Sequence, residues 1–101
     1  MEINLDAKYY YLVNSDLKMS KGKVAAQVSH VAMMIGEKYN EVGRAVVLKA
    51  DQKILEEFIQ KENVFFIRDA GLTEVPKDSL TCVGFKDSDE LKKFVNGLKL
   101  L

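Results

Sequence analysis

An α/β sandwich, with helices laid on a mixed four-stranded sheet, is the fold class this sequence predicts, and three observations predict it. Four short apolar runs rich in β-branched and aromatic residues stand apart along the chain: YYYLV (9–13), AVVLK (45–49), VFFIR (64–68) and LTCVGF (80–85). After the first of them, Val24, Val28, Val31 and Ile35 recur at spacings of four, three and four, the stripe of an amphipathic helix. In sequence the elements run β-α-β-α-β-β-α, an alternation that favours helices packed on a mostly buried sheet.

The unbroken run Tyr9–Val13 reads as a buried strand, and Asn14, Ser15 and Asp16 form its turn-rich exit. Ser20 is placed to cap a helix from about Gly22 to Lys38, because its hydroxyl can accept from a free N–H of the first turn. Asn40 and Gly43 precede the second strand. Asp51 can cap a second helix from Gln52 to about Lys61, with Ile54, Leu55, Phe58 and Ile59 on one face. The third strand stops at Asp69-Ala70-Gly71, where Gly71 can supply a positive φ. A loop through Pro76 and Asp78 leads to the fourth strand, and the Asp87-x-x-Glu90 spacing suggests a capped last helix ending near Asn96 and Gly97. Helical crossovers allow strands one to three to run parallel. The helix-free link from the third strand to the fourth points to an antiparallel pair, hence a mixed sheet.

At 101 residues the chain supports one domain, residues 1–101, and a second copy would help so small a core. Apolar residues make up 48% and charged residues 30%, the balance of a globular protein. No apolar run approaches bilayer length, and Met1–Lys8 alternates polar with apolar residues, unlike a secretory signal. The one cysteine, Cys82, has no internal disulfide partner, which fits a reducing compartment, and a cytoplasmic location is expected. Fifteen basic residues balance fifteen acidic ones, so the surplus of positive charge typical of a general nucleic-acid binder is missing. RNA contact would need a local patch, and Lys18, Lys21 and Lys23 form one, although most short lysine clusters are solvated turns. One histidine and one cysteine cannot build an ordinary zinc site, although carboxylates could hold magnesium weakly; no metal or cofactor is expected.

Two stretches fall at strand ends, where sites collect in such folds. In NSDLKMSKGK (14–23), lysines approach a helix N-terminus that would suit a phosphate or a developing oxyanion, but the GK[ST] ending of a P-loop is missing. In DAGLT (69–73), a carboxylate on a tight turn could orient a water or accept a proton, with Thr73 and Thr81 able to converge on it. Taken singly, Asp69 is more often a turn-former bonded to nearby backbone, and the threonines are ordinary strand or surface residues. Alternation predicts that Cys82 faces away from Thr81 as a small core residue. A strand puts alternate rings of Tyr9, Tyr10 and Tyr11 on opposite faces, and core packing is expected for at least one face; core or dimer contact is the expected use of Met33 and Met34.

The motifs carry more weight together. SDLKMSKGKVAAQVSH (15–30) closely resembles the signature of the type II peptidyl-tRNA hydrolases, with KGK, AAQ and His at the same intervals. IRDAGLTEVPKDSLT (67–81) is similar to that family's second signature, and the ending GLKLL (97–101) matches its usual terminus. The resemblance implies a three-layer α/β/α fold and hydrolysis of the ester joining a peptide to the terminal ribose of tRNA, with peptidyl-tRNA as partner. It places the catalytic positions on Lys23, Asp69, Thr73 and Thr81. Gln27 and His30 fall on further signature positions, read as substrate-binding, and Lys18 and Lys21 on basic positions expected to meet RNA phosphates. His30 stands two turns, about 10 Å, from Lys23, which favours a structural role for it. The chain departs from the family in a shorter 35–45 region, in having no Trp, and in Asn14 and Asp78 where Arg and Gly are common. With the neutral charge, these departures leave a competing reading: a weak or inactive relative serving as a tRNA- or protein-binding module.

Overall fold

The computed structural model describes residues 1–101. Its elements are β1 (Glu2–Asn14), α1 (Lys21–Tyr39), β2 (Glu41–Ala50), α2 (Gln52–Phe58), β3 (Val64–Arg68), β4 (Leu80–Lys86) and α3 (Asp89–Lys92), in the order the sequence predicts. The sheet order is β2-β1-β4-β3. β1 and β2 are parallel, and β4 runs antiparallel to both β1 and β3, so β1, β2 and β3 share one direction and the sheet is mixed.

Alternation divides the strand side chains between two packed layers. Tyr10, Leu12, Leu48, Val83 and Phe85 bury one face against Leu55 and Phe58 of α2 and Leu91 of α3. Tyr9, Tyr11, Val13 and Cys82 bury the other against Val31 and Ile35 of α1. The three consecutive tyrosines therefore serve both cores, and the fold is three-layered. Gly84 marks the closest approach of α1, since a Cβ there would meet Val31 Cγ1 at 2.6 Å.

Several boundaries differ from expectation. β1 and β2 begin earlier because polar Glu2 and Glu41, and Ile3 and Val42, form ladder pairs that an apolar-run criterion overlooks. α2 ends at Phe58, not near Lys61, and Asn63 takes a left-handed φ of 61° before β3. The last helix is a single turn, and its cap is Ser88 rather than Asp87. Ser88 has the extended backbone that lets its hydroxyl reach the Leu91 N–H, while the Asp87 N–H is already given to the Lys8 carbonyl. Ser20 and Asp51 cap α1 and α2 as predicted, accepting from Lys23 N and Ile54 N.

The expectation that Thr81 and Cys82 face opposite ways is also corrected. Ile67 pairs with Cys82 but Arg68 with Leu80, so Thr81 is an extra residue in a β-bulge. The bulge interrupts the alternation, and both side chains turn toward α1. At the opposite edge of the sheet, Leu100 bridges to Leu48, Lys49 N donates to Lys99 O and Leu101 N to Val47 O. The last residues thus cover the outer edge of β2, which would otherwise offer unpaired backbone groups. No helix is long and apolar enough to cross a membrane.

Candidate active site

The site forms where β3 ends, β4 begins and α1 starts. Lys23 lies in the first turn of α1, and its Nζ sits 2.6 Å from Asp69 Oδ1 and 2.6 Å from Thr73 Oγ1. The lysine and aspartate side chains are only 10% and 8% exposed, so this ion pair is shielded from water on most sides. Thr73 is exposed and closes the outer side of the ammonium.

Asp69 receives two further donors. Gln27, one turn after Lys23, donates from Nε2 to Oδ1 at 3.2 Å, and the Gly71 N–H donates to Oδ2 at 2.7 Å. The tight turn behind Gly71 requires glycine: φ is 78°, and a Cβ would stand 2.6 Å from the Lys77 backbone nitrogen. Backbone bonds from Asp69 N to Ser79 O and from Asp78 N to Asp69 O close the base of the loop. Asp69 thus binds the backbone of its own turn through Oδ2 and two side chains of α1 through Oδ1. Hydrogen bonds from Lys23 and Gly71, the Lys23 charge and the Gln27 bond hold the Asp69 carboxyl below the usual aspartate range, against a smaller opposing effect of desolvation.

Thr81, fully buried by the bulge, donates to Gln27 Oε1 at 2.8 Å. Lys23, Gln27, Asp69, Thr73 and Thr81 therefore form one hydrogen-bonded chain from the exposed loop to the core. His30 does not join it. It is exposed on α1 and makes no hydrogen bond with the chain, as its distance of two turns from Lys23 anticipates. Lys18 and Lys21 are exposed beside the start of α1 and make no salt bridge.

Two residues that position the site were not singled out for that role from sequence. Asn14, read as part of a turn, is buried at the end of β1; its Nδ2 donates to Leu80 O at 2.8 Å and Gln52 Oε1 at 2.7 Å, anchoring the strand that carries Thr81. Glu74 accepts from Ser20 N at 2.7 Å and from Ser20 Oγ at 2.6 Å, so the corner expected to take an external anion is met by a carboxylate of the chain itself. A polar residue directly after an apolar strand is a weak signal for the first. The second is a contact across 54 residues and leaves no local signal.

Two hollows of about 560 and 760 Å³ lie along α1 and β2, and neither includes Lys23, Asp69, Thr73 or Thr81. The cluster lies outside both hollows, with exposed Thr73 at its outer end. No three His, Cys, Asp or Glu side chains converge anywhere in the chain.

Comparison with known proteins agrees with this geometry. Residues 7–101 match the family described as "Peptidyl-tRNA hydrolase PTH2". The chain is 35% identical to a protein of Thermococcus sibiricus named peptidyl-tRNA hydrolase, over 93% of this chain and 97% of that one. It is 35% identical to one of Staphylothermus marinus with the same name (97% and 98%), and 33% identical to one of Methanothermobacter thermautotrophicus (93% and 99%). The first of these alignments runs over 114 residues, more than the 101 of this chain, so the relative carries residues that this chain lacks. With its sequence matched from residue 7 to the last residue, the chain belongs to the peptidyl-tRNA hydrolase PTH2 family.

Proposed function

We propose that this chain, as one domain of residues 1–101, hydrolyses the ester bond of peptidyl-tRNA and releases free tRNA and peptide. The observation that carries the proposal is the Lys23 ammonium held at once by Asp69 and by exposed Thr73. Water adds to the ester carbonyl, the carbonyl oxygen gains negative charge, and the ribose oxygen departs with a proton. Lys23 is the one cation at the centre of the cluster, and its role is to stabilise that developing charge. Asp69 carries three donors and is held in the ionised state, which makes it a weak proton acceptor. Its role is therefore to orient Lys23 and a water rather than to take the proton outright. Thr73 fixes the ammonium from outside, and Thr81 acts through Gln27, so Gln27 is a positioning residue rather than a substrate contact. The role of Lys18 and Lys21 is to meet tRNA phosphates, a reading supported by their exposure and their freedom from salt bridges.

The same proposal includes cytoplasmic operation and self-association, the latter supported by exposed Met1, Met33 and Val42 around one hollow. Sedimentation over a concentration series tests it.

The deciding experiment is peptide release from an N-blocked aminoacyl-tRNA by the wild type, Lys23→Ala and Asp69→Ala. Release by the wild type with a loss of roughly a hundredfold or more in each variant is expected. A folded wild type that binds tRNA with steep salt dependence but releases nothing would favour the binding-module reading.

A further inference from the structure

The loop from Asp69 to Ser79 reaches Lys23 from two directions. Asp69 and Thr73 hold the ammonium, while Glu74, the residue after Thr73, holds the helix start from which Lys23 projects. The second grip runs through Ser20. Its N–H and hydroxyl each donate to one oxygen of the Glu74 carboxylate, at 2.7 and 2.6 Å, and its Oγ accepts from the Lys23 backbone N–H at 3.2 Å. A carboxylate bound by two donors of one residue is fixed in direction as well as distance. Moreover, no other side-chain hydrogen bond or salt bridge ties the stretch 70–77 to α1 apart from Lys23–Thr73 itself. The two contacts are adjacent in the chain, so the Glu74 seat on Ser20 acts directly on the position of Thr73, with buried Val75 and the Gly71 turn holding the rest of the loop. The seat is also electrostatically favoured, since Ser20 lies at the positive end of a nineteen-residue helix that has no acidic residue in its own first turn.

We infer that Glu74 is a positioning residue for hydrolysis: its clasp on Ser20 sets the Thr73–Lys23 contact and thereby the direction of the ammonium. The inference rests on the reading of Lys23 as the charge-stabilising group. The Ser20 hydrogen bonds hold the Glu74 carboxyl below its ordinary range, which keeps the clasp ionised through neutral and mildly acidic pH. The clasp also occupies the helix start, so an incoming tRNA phosphate is met by Lys18 and Lys21 and not by the Ser20 N–H.

The test uses the full chain and three substitutions: Glu74→Ala, Glu74→Gln and Thr73→Val. Glu74 is exposed, so the fold should tolerate its replacement, and thermal unfolding verifies this. Glu74→Ala is expected to lower kcat about ten- to a hundredfold with KM little changed, the scale of a misdirected reacting group. Glu74→Gln keeps an oxygen for the Ser20 N–H and an amide for its hydroxyl, and it should recover most of that loss. Thr73→Val should lower kcat in the wild-type background and much less in the Glu74→Ala background, because the clasp that brings Thr73 to Lys23 is already gone. Additive losses, or a Glu74→Ala enzyme with unchanged kcat, would overturn the inference. The Ser20 amide resonance supplies a readout independent of turnover. It should shift and exchange faster in Glu74→Ala and hold in Glu74→Gln. If the wild type releases no peptide, the functional reading fails, and the amide alone decides the clasp: an unchanged Ser20 resonance in Glu74→Ala refutes it.

Discussion

Gln27 and Thr81 face each other across the α1–β4 interface, with the Thr81 hydroxyl 2.8 Å from Gln27 Oε1. The ionised carboxylate of Asp69 can only accept, so the Gln27 amide must turn its nitrogen to Asp69 and its oxygen to Thr81. A core threonine thereby fixes the donor that steadies the site. Thr81→Val keeps the shape but leaves Gln27 Oε1 buried without a partner. It should cost about 1–3 kcal/mol of stability by denaturant unfolding. It should also reduce peptide release, while Thr81→Ser retains both.

Gly71 joins backbone geometry to site geometry. Gly71→Ala forces a Cβ against the Lys77 backbone at a left-handed φ and displaces the N–H that holds Asp69 Oδ2. A loss of at least about 1–2 kcal/mol is expected from the backbone alone, with a fall in kcat exceeding what the unfolded fraction explains. Parallel unfolding and turnover measurements separate the two.

The pH dependence of Asp69 has a definite sign. Its pKa is lower in the folded protein than in the unfolded chain, so its contribution to stability is full above the unfolded value of about 4. That contribution is lost as pH falls through the lower folded value. The stability difference between wild type and Asp69→Asn should hold constant from pH 7 to about 5 and shrink in stronger acid. The acid limb of the rate profile that belongs to Asp69 should likewise lie below an ordinary aspartate's.

A second acid-sensitive contact lies at the far end of the sheet. Glu41 accepts from Lys86 Nζ at 2.7 Å, from Tyr9 Oη and from Asn4 Nδ2, and these bonds, that of Lys86 foremost, hold its carboxyl at about 2. Its stabilisation is present above an ordinary glutamate's pKa and disappears as pH falls toward 2. Lys86→Met should flatten the acid slope of the melting temperature between about pH 4.5 and 2 without altering peptide release at neutral pH.

Cys82 should be chemically silent. It is fully buried, and burial pushes its thiol up to about 12, so thiolate is scarce at neutral pH. Alkylation with iodoacetamide should follow the fraction unfolded in denaturant. Rapid labelling of the native protein would contradict this placement.

Local periodicity, and residues within a turn of one another, were enough to read the elements, their order, the mixed sheet and the caps Ser20 and Asp51, whereas the third cap is Ser88 and not Asp87. Ser20, Asp51 and Gly71 act within three or four residues, and their chemistry was legible without the fold. The family signatures also named Lys23, Gln27, Asp69, Thr73 and Thr81, which the structure joins into one hydrogen-bonded chain, and His30, which stays outside it. How they connect depends on long-range packing. Thr81 reaches Gln27 because one extra residue in β4 breaks a strict two-residue alternation, and a bulge is a property of two paired strands, not of one. Glu74 meets Ser20, and Asn14 meets Leu80, across 54 and 66 residues. Such contacts exist only once the sheet order β2-β1-β4-β3 brings the end of β1, the start of β4 and the head of α1 to one corner. Local sequence carries hydrogen-bonding capacity, but chain packing chooses the partner.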